Sequence, residues 1–165
     1  MDFHGYVAPE LDVERVHKVF DGWGIYEAVN IVDFIENNLQ KAIRQAKASN
    51  HIHPVVMIPP QLRSAPKHLE KCVKMGFLAL KIHSQVHGFR YDDPAIFPTV
   101  RKAEDLGIPV FVHTGPSWSK GPFNEDMRVA STLPYIFPEV NFVFYEGDIS
   151  LARWLLKKFD NLYID

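Results

Sequence analysis

A short apolar run rich in Val, Ile and Phe, then polar turn residues, then a segment of helical period: this unit recurs along the whole chain and limits its fold more than any other feature. The runs that read as strands are Phe3–Val7, Glu27–Val32, His53–Ile58, Phe77–His83, Pro109–His113, Asn141–Tyr145 and Leu162–Ile164. Helices are expected between them, around Val13–Phe20, Leu39–Ser49, Ala65–Met75, Ala95–Leu106, Glu125–Ile136 and Ser150–Phe159. Gly24, Gly76 and Gly107 each follow a helical stretch, where a left-handed residue ends a helix, and Asp12 and Asn38 stand where N-caps belong. Pro54, Pro59 and Pro60 suit the ends of the third run but would be costly in its middle. Strands that alternate with helices over short connections imply a mainly parallel sheet, closed into a barrel or open and doubly wound. No Gly-x-Gly-x-x-Gly follows the first run and no Walker-type Gly-Lys-Ser/Thr occurs, which favours the barrel.

The chain has 165 residues, 47% of them apolar, enough for one substantial core, so residues 1–165 are read as a single domain. A formal net charge of -2, with both signs interspersed, offers no basic stripe for phosphates and no polybasic segment for lipid. Nucleic acid and membrane are therefore not expected as partners, and a small-molecule substrate is. Cys72 stands alone and within a helical pattern, which excludes an intrachain disulfide and a thiolate cluster. The start, Met1-Asp2-Phe3-His4, lacks the basic and apolar regions of a secretory signal, so the expected location is the cytoplasm.

In parallel α/β folds the chemistry sits at the carboxyl ends of the strands. The first run carries Asp2, His4 and Tyr6 at alternate positions; the fourth ends Lys81-Ile82-His83, the fifth His113-Thr114-Gly115, and the sixth Tyr145-Glu146-Gly147. Side chains two apart share a face. Imidazoles from different strands are common ligands of a catalytic Zn²⁺, so His4 and His113 are candidate metal ligands and Glu146 a candidate carboxylate ligand. Lys81 and His83 are candidate catalytic residues, Lys81 because desolvation near a strand end lowers its proton affinity. Tyr6, Arg90 and Trp118 are candidate substrate contacts, although Arg90 with Asp92 equally suits a self-contained turn. His51 and His53 precede the third run, on the face that serves stability, and His17 and His68 read as surface residues on helices.

These residues match a known pattern. The chain resembles the amidohydrolase-related metal-dependent hydrolases, which are (β/α)₈ barrels. The segment Gly76 to His83 is similar to that family's fourth strand, and Gly107-Ile108-Pro109-Val110-Phe111-Val112-His113-Thr114-Gly115 to its fifth strand with a metal-binding histidine. Phe137 to Val143 is similar to the lead into the sixth strand, Asn161 to Asp165 to the seventh, and Asp2-Phe3-His4 to the start of an Asp-x-His-x-His motif. Tyr6 stands where that motif has its second histidine, and Glu146 where the sixth strand has a histidine before glycine. The eighth strand, with its metal-binding aspartate, has no counterpart. The expected fold is thus a TIM-barrel-like repeat of about seven parallel strands without the eighth βα unit, a C-terminally incomplete domain whose open edge a homo-oligomer would cover.

The resemblance implies a divalent metal, Zn²⁺ first, and hydrolysis of an amide, ester or lactone or decarboxylation of an aromatic acid. The alternative is a catalytically inactive barrel that binds a small molecule or another protein. A third reading, a metal-independent lyase, uses Lys81 as a Schiff-base amine.

Overall fold

The computed structural model describes residues 2–5, 12–36, 38–49, 51–115 and 127–165, the side chains of 2–5 and 36 excepted. Seven strands, β1 (Asp2–Gly5), β2 (Glu27–Asp33), β3 (Ile52–Met57), β4 (Ala79–Ile82), β5 (Val110–His113), β6 (Phe142–Tyr145) and β7 (Leu162–Ile164), form one sheet in chain order. Every neighbouring pair is parallel. The helices between them are α1 (Val13–Trp23), α2 (Leu39–Lys47), α3 (Ala65–Met75), α4 (Ser84–His87), α5 (Phe97–Asp105), α6 (Met127–Ala130), α7 (Thr132–Ile136) and α8 (Ile149–Leu155).

Local chemistry sets these boundaries. Asp12 is extended and its carboxylate accepts the Glu14 N–H at 3.2 Å, which satisfies one of the orphan donors that open α1. Gly24 closes α1 at φ 67° and Gly76 closes α3 at φ 116°, a region costly for residues with a Cβ. Asn38 stands at the N-cap of α2 but makes no side-chain cap bond.

The strands are apolar on both faces, as parallel strands covered on both sides must be. On one face Val32, Val56, Ile58, Leu80, Ile82, Val110, Val112, Phe142 and Phe144 pack against helix residues that include Ile43, Leu69, Cys72, Val100 and Ala103. The alternate positions Ile31, Val55, Met57 and Ala79, with Val29 and Phe111, form a separate cluster on the opposite face. Each fully buried Leu, Ile, Val or Phe contributes about 1.5–3 kcal/mol, so this double-sided burial is the main source of stability. It also makes the register strict, because a one-residue slip would exchange the two faces.

Five expectations need correction. Of the helix expected over Glu125–Ile136, Glu125 and Asp126 lie outside the described residues and the rest is two short helices, α6 and α7; the one-turn helix α4 occupies a segment read as loop. Pro54 is the third residue of β3 rather than an end; its carbonyl accepts Leu78 N–H at 2.9 Å just before β4 begins, so its missing N–H interrupts no described β3–β4 pairing. His17 is half-buried, with its Nε2 2.6 Å from Ser49 Oγ. His68 is half-buried as well and stacks on Phe34 at 4.5 Å between centroids.

Candidate active site

The inner row of side chains turns from apolar to polar at the carboxyl ends of three adjacent strands. On β4 the row Ala79, Lys81 continues into His83; on β5 Phe111 is followed by His113; on β6 Val143 is followed by Tyr145. The register places Lys81 beside Phe111 and His113 beside Tyr145. Period two thus brings an amine, two imidazoles and a phenol to one end of one face.

Contacts among them are direct. The His83 and His113 rings stack at 3.9 Å with 15° between planes, and the edge of the pair is closed by Tyr145, 5.2 Å from His113. Lys81 Nζ lies 4.3 Å over the Tyr145 ring, a cation–π geometry. The Glu146 carboxylate is half-exposed and reaches to 3.8 Å from His113 Nε2.

Burial dominates the electrostatics. Lys81 is 2% exposed, and desolvation lowers its pKa to about 8 although Glu146 pulls the other way. His83 is pushed down to about 3, first by burial and then by His113, Lys81 and His87, so it is a neutral imidazole at any physiological pH. His83 can therefore donate or accept a hydrogen bond but cannot serve as a general acid near neutrality. Lys81, by contrast, is brought by burial close enough to neutrality to change charge near working pH.

The backbone around these groups is held by side chains that the sequence reading passed over. The Tyr91 hydroxyl, fully buried, donates to the His113 carbonyl at 2.5 Å and accepts from Ser84 N–H at 3.2 Å. Thr114 Oγ1 donates to the carbonyls of Glu146 at 2.8 Å and Tyr145 at 3.1 Å. Glu146 itself has φ 58°, a left-handed conformation that costs a residue with a Cβ about 1 kcal/mol or more and is kept only where its surroundings enforce it. Gly115 lies so close that a Cβ there would stand 2.5 Å from Glu146 Cβ, which explains glycine at that position.

A second polar pair lies at the same end of the sheet. Asp33, at the end of β2, is 3.9 Å from His87 Nε2 on α4, and its other oxygen accepts Ile35 N–H at 2.9 Å. Burial pushes the Asp33 pKa up, but the nearby His87 imidazole and the Ile35 N–H outweigh it and hold the carboxyl below its ordinary value. The partners are far apart in the chain, and only the sheet order brings them together.

The remaining candidates are distributed as follows. His4 occupies β1 beside Val29, its side chain outside the described set, and Tyr6 and Trp118 lie outside the described residues. Arg90 forks onto Asp92 through two bonds of 2.9 and 3.0 Å, the self-contained turn. At the opposite end of the strands, His51 Nδ1 contacts Tyr26 O at 2.5 Å and His53 lies 3.8 Å from Glu27, both structural roles.

Two ligands about 2.0–2.2 Å from one ion in tetrahedral geometry lie about 3.4 Å apart, so the 3.8 Å between His113 Nε2 and Glu146 closes with a small rotation of the half-exposed carboxylate. Among the described residues no group of three His, Cys, Asp or Glu is arranged around one point. The pair fits one side of a coordination sphere, and further ligands would have to come from β1 or from outside the described residues.

A parallel βα repeat with its strands in chain order is the arrangement of a TIM barrel. Among solved structures, the chain superposes on an uncharacterized TIM-barrel protein from Bordetella bronchiseptica with a TM-score of 0.73 at 20% identity, covering 93% of this chain and 58% of that one. It superposes on dihydroorotase from Campylobacter jejuni with a TM-score of 0.62 at 16% identity, covering 99% and 52%. The family model described as Amidohydrolase matches residues 11–165, and the chain belongs to that family. Over 51 residues it is 37% identical to the 2-amino-3-carboxymuconate-6-semialdehyde decarboxylase of Dictyostelium discoideum, 30% of this chain and 14% of that protein. The chain thus spans little more than half the length of the solved structures and a small part of the decarboxylase. Among the described residues no helix is long and apolar enough to cross a membrane.

Proposed function

We propose that this chain carries the metal-dependent chemistry of the amidohydrolases on a small carbonyl compound bearing a carboxylate, as hydrolysis of an amide, ester or lactone or as loss of carbon dioxide from an aromatic acid. The observation that supports it is the convergence of Lys81, His83, His113, Tyr145 and Glu146 at the ends of β4, β5 and β6. His113, Glu146 and His4 would hold the ion, Zn²⁺ first, which when bound polarises a carbonyl and lowers the pKa of water to about 7.

The chain's own groups divide the remaining work. Lys81, largely protonated below its pKa of about 8, places a desolvated cation where a substrate carboxylate or a developing oxyanion gains most from it. Neutral His83 donates one hydrogen bond without bringing a second charge. The decarboxylase among the relatives supports the second of these reactions.

Turnover decides it. Zn²⁺-, Mn²⁺- or Fe²⁺-loaded protein is assayed against lactones, amides and esters with a carboxylate and against hydroxylated aromatic acids. Turnover that falls by about 10²-fold or more in Lys81→Met and in His113→Ala is expected. Turnover unchanged by both substitutions, or none with any substrate, contradicts the proposal.

A further inference from the structure

We infer that Tyr91 is a positioning residue that sets the stacked His83–His113 pair. The inference rests on the site proposed above, because it concerns the same two imidazoles. Tyr91 follows the β4–α4 segment on a loop, is 0% exposed, and bridges two strand ends through one oxygen atom. That oxygen donates to the carbonyl of His113 and accepts from the N–H of Ser84, the residue after His83. Both bonds go to main chain immediately at the histidines, so the hydroxyl fixes the spacing of the two backbones from which the rings extend.

The side chain is itself fixed. It is fully buried and Phe89 meets its ring edge-on at 5.4 Å, which restrains the hydroxyl. Without it, a buried carbonyl and a buried N–H lose their shared partner, and separating or rehydrating them is the cheapest remedy. Either response alters the 3.9 Å stack. Groups outside a metal's own ligands that orient those ligands commonly govern affinity in this way.

The experiment compares Tyr91→Phe with Thr99→Val. Thr99 makes an equally buried bond, to Pro60 O at 2.7 Å on α5, away from the two histidines. Three quantities are read: melting temperature, the ring-proton chemical shifts of His83 and His113, and Zn²⁺ affinity by calorimetry. Both variants should melt lower. Only Tyr91→Phe should move the ring protons toward unstacked imidazole positions, and it should weaken Zn²⁺ by about 10- to 100-fold.

If Tyr91→Phe fails to fold, Ser84→Pro removes the other half of the bridge. Ser84 is the first residue of α4 and His83 before it is extended, at φ -142° and ψ 100°, so proline fits the backbone there. Ring shifts that stay in place in the folded variants overturn the inference. If the unmodified chain binds no Zn²⁺, the proposed function fails while the ring shifts still decide the role of Tyr91.

Discussion

Replacing Gly115 with alanine should destabilise the fold sharply, although the substitution adds a single methyl group. The new Cβ would stand 2.5 Å from Glu146 Cβ and 2.8 Å from the Glu146 carbonyl carbon and oxygen. Carbon atoms in contact prefer about 3.5–4.0 Å, so the ends of β5 and β6 would have to part by about 1 Å. Main-chain atoms make up most of the obstacle, and the Thr114 hydroxyl ties the two segments through Glu146 O and Tyr145 O. Overpacking of this kind costs about 1–3 kcal/mol, and at about 2–4 °C per kcal/mol for a domain of this size the melting temperature should fall by about 2–12 °C. Gly147→Ala is the matched control, since its Cβ would meet Met127 Cε, also at 2.5 Å but at the far end of a flexible side chain. Thermal unfolding followed by circular dichroism reads both. Equal losses in the two variants, or a Gly115→Ala melting temperature within about 1 °C of the unmodified chain, would refute the reasoning.

Three further outcomes are expected. The Lys81 amine has a pKa of about 8 in the fold against 10.5 unfolded, so the unfolded chain binds more protons between those values; stability should rise with pH across them by about 3 kcal/mol. Cys72, pushed up to about 11 by burial, opposes that rise, so the measurement is the difference in denaturant-unfolding free energy between the unmodified chain and Lys81→Met, both of which retain Cys72; a difference that does not change with pH contradicts it. Asn161→Ala should cost about 1–3 kcal/mol, because Asn161 Nδ2 lies within 3.3 Å of the carbonyls of Pro134, Phe137 and Val140; a loss under about 0.5 kcal/mol would show that water replaces it. Arg90→Ala, which breaks an exposed fork, should change stability by less than about 1 kcal/mol in the same assay, and a larger loss would reveal a role beyond the turn.

The order and direction of the strands were legible because an apolar run followed by a helical period has few parallel solutions. The strand ends were legible for the same reason, since period two puts Lys81 on the face of Ala79 and His113 on the face of Phe111. What escaped the sequence depends on long-range contact or on weak local signals. Asp33 and His87 meet only through the sheet order. Tyr91 reads as one more aromatic residue in a polar loop until its hydroxyl is seen between Ser84 and His113. The α4 helix has no side-chain cap at His83 and lasts a single turn, so no start signal announced it. The left-handed Glu146 was hidden because its conformation is imposed from outside, by Thr114 and by the space that Gly115 leaves.

The central claim is that the strand ends hold a metal, and metal content per chain tests it most directly. Protein purified without chelator is compared with the His4→Ala/His113→Ala double variant by elemental analysis. Near-stoichiometric divalent metal is expected in the unmodified chain, with its loss in the variant. Metal absent from both, or retained by the variant at the unmodified level, would contradict it.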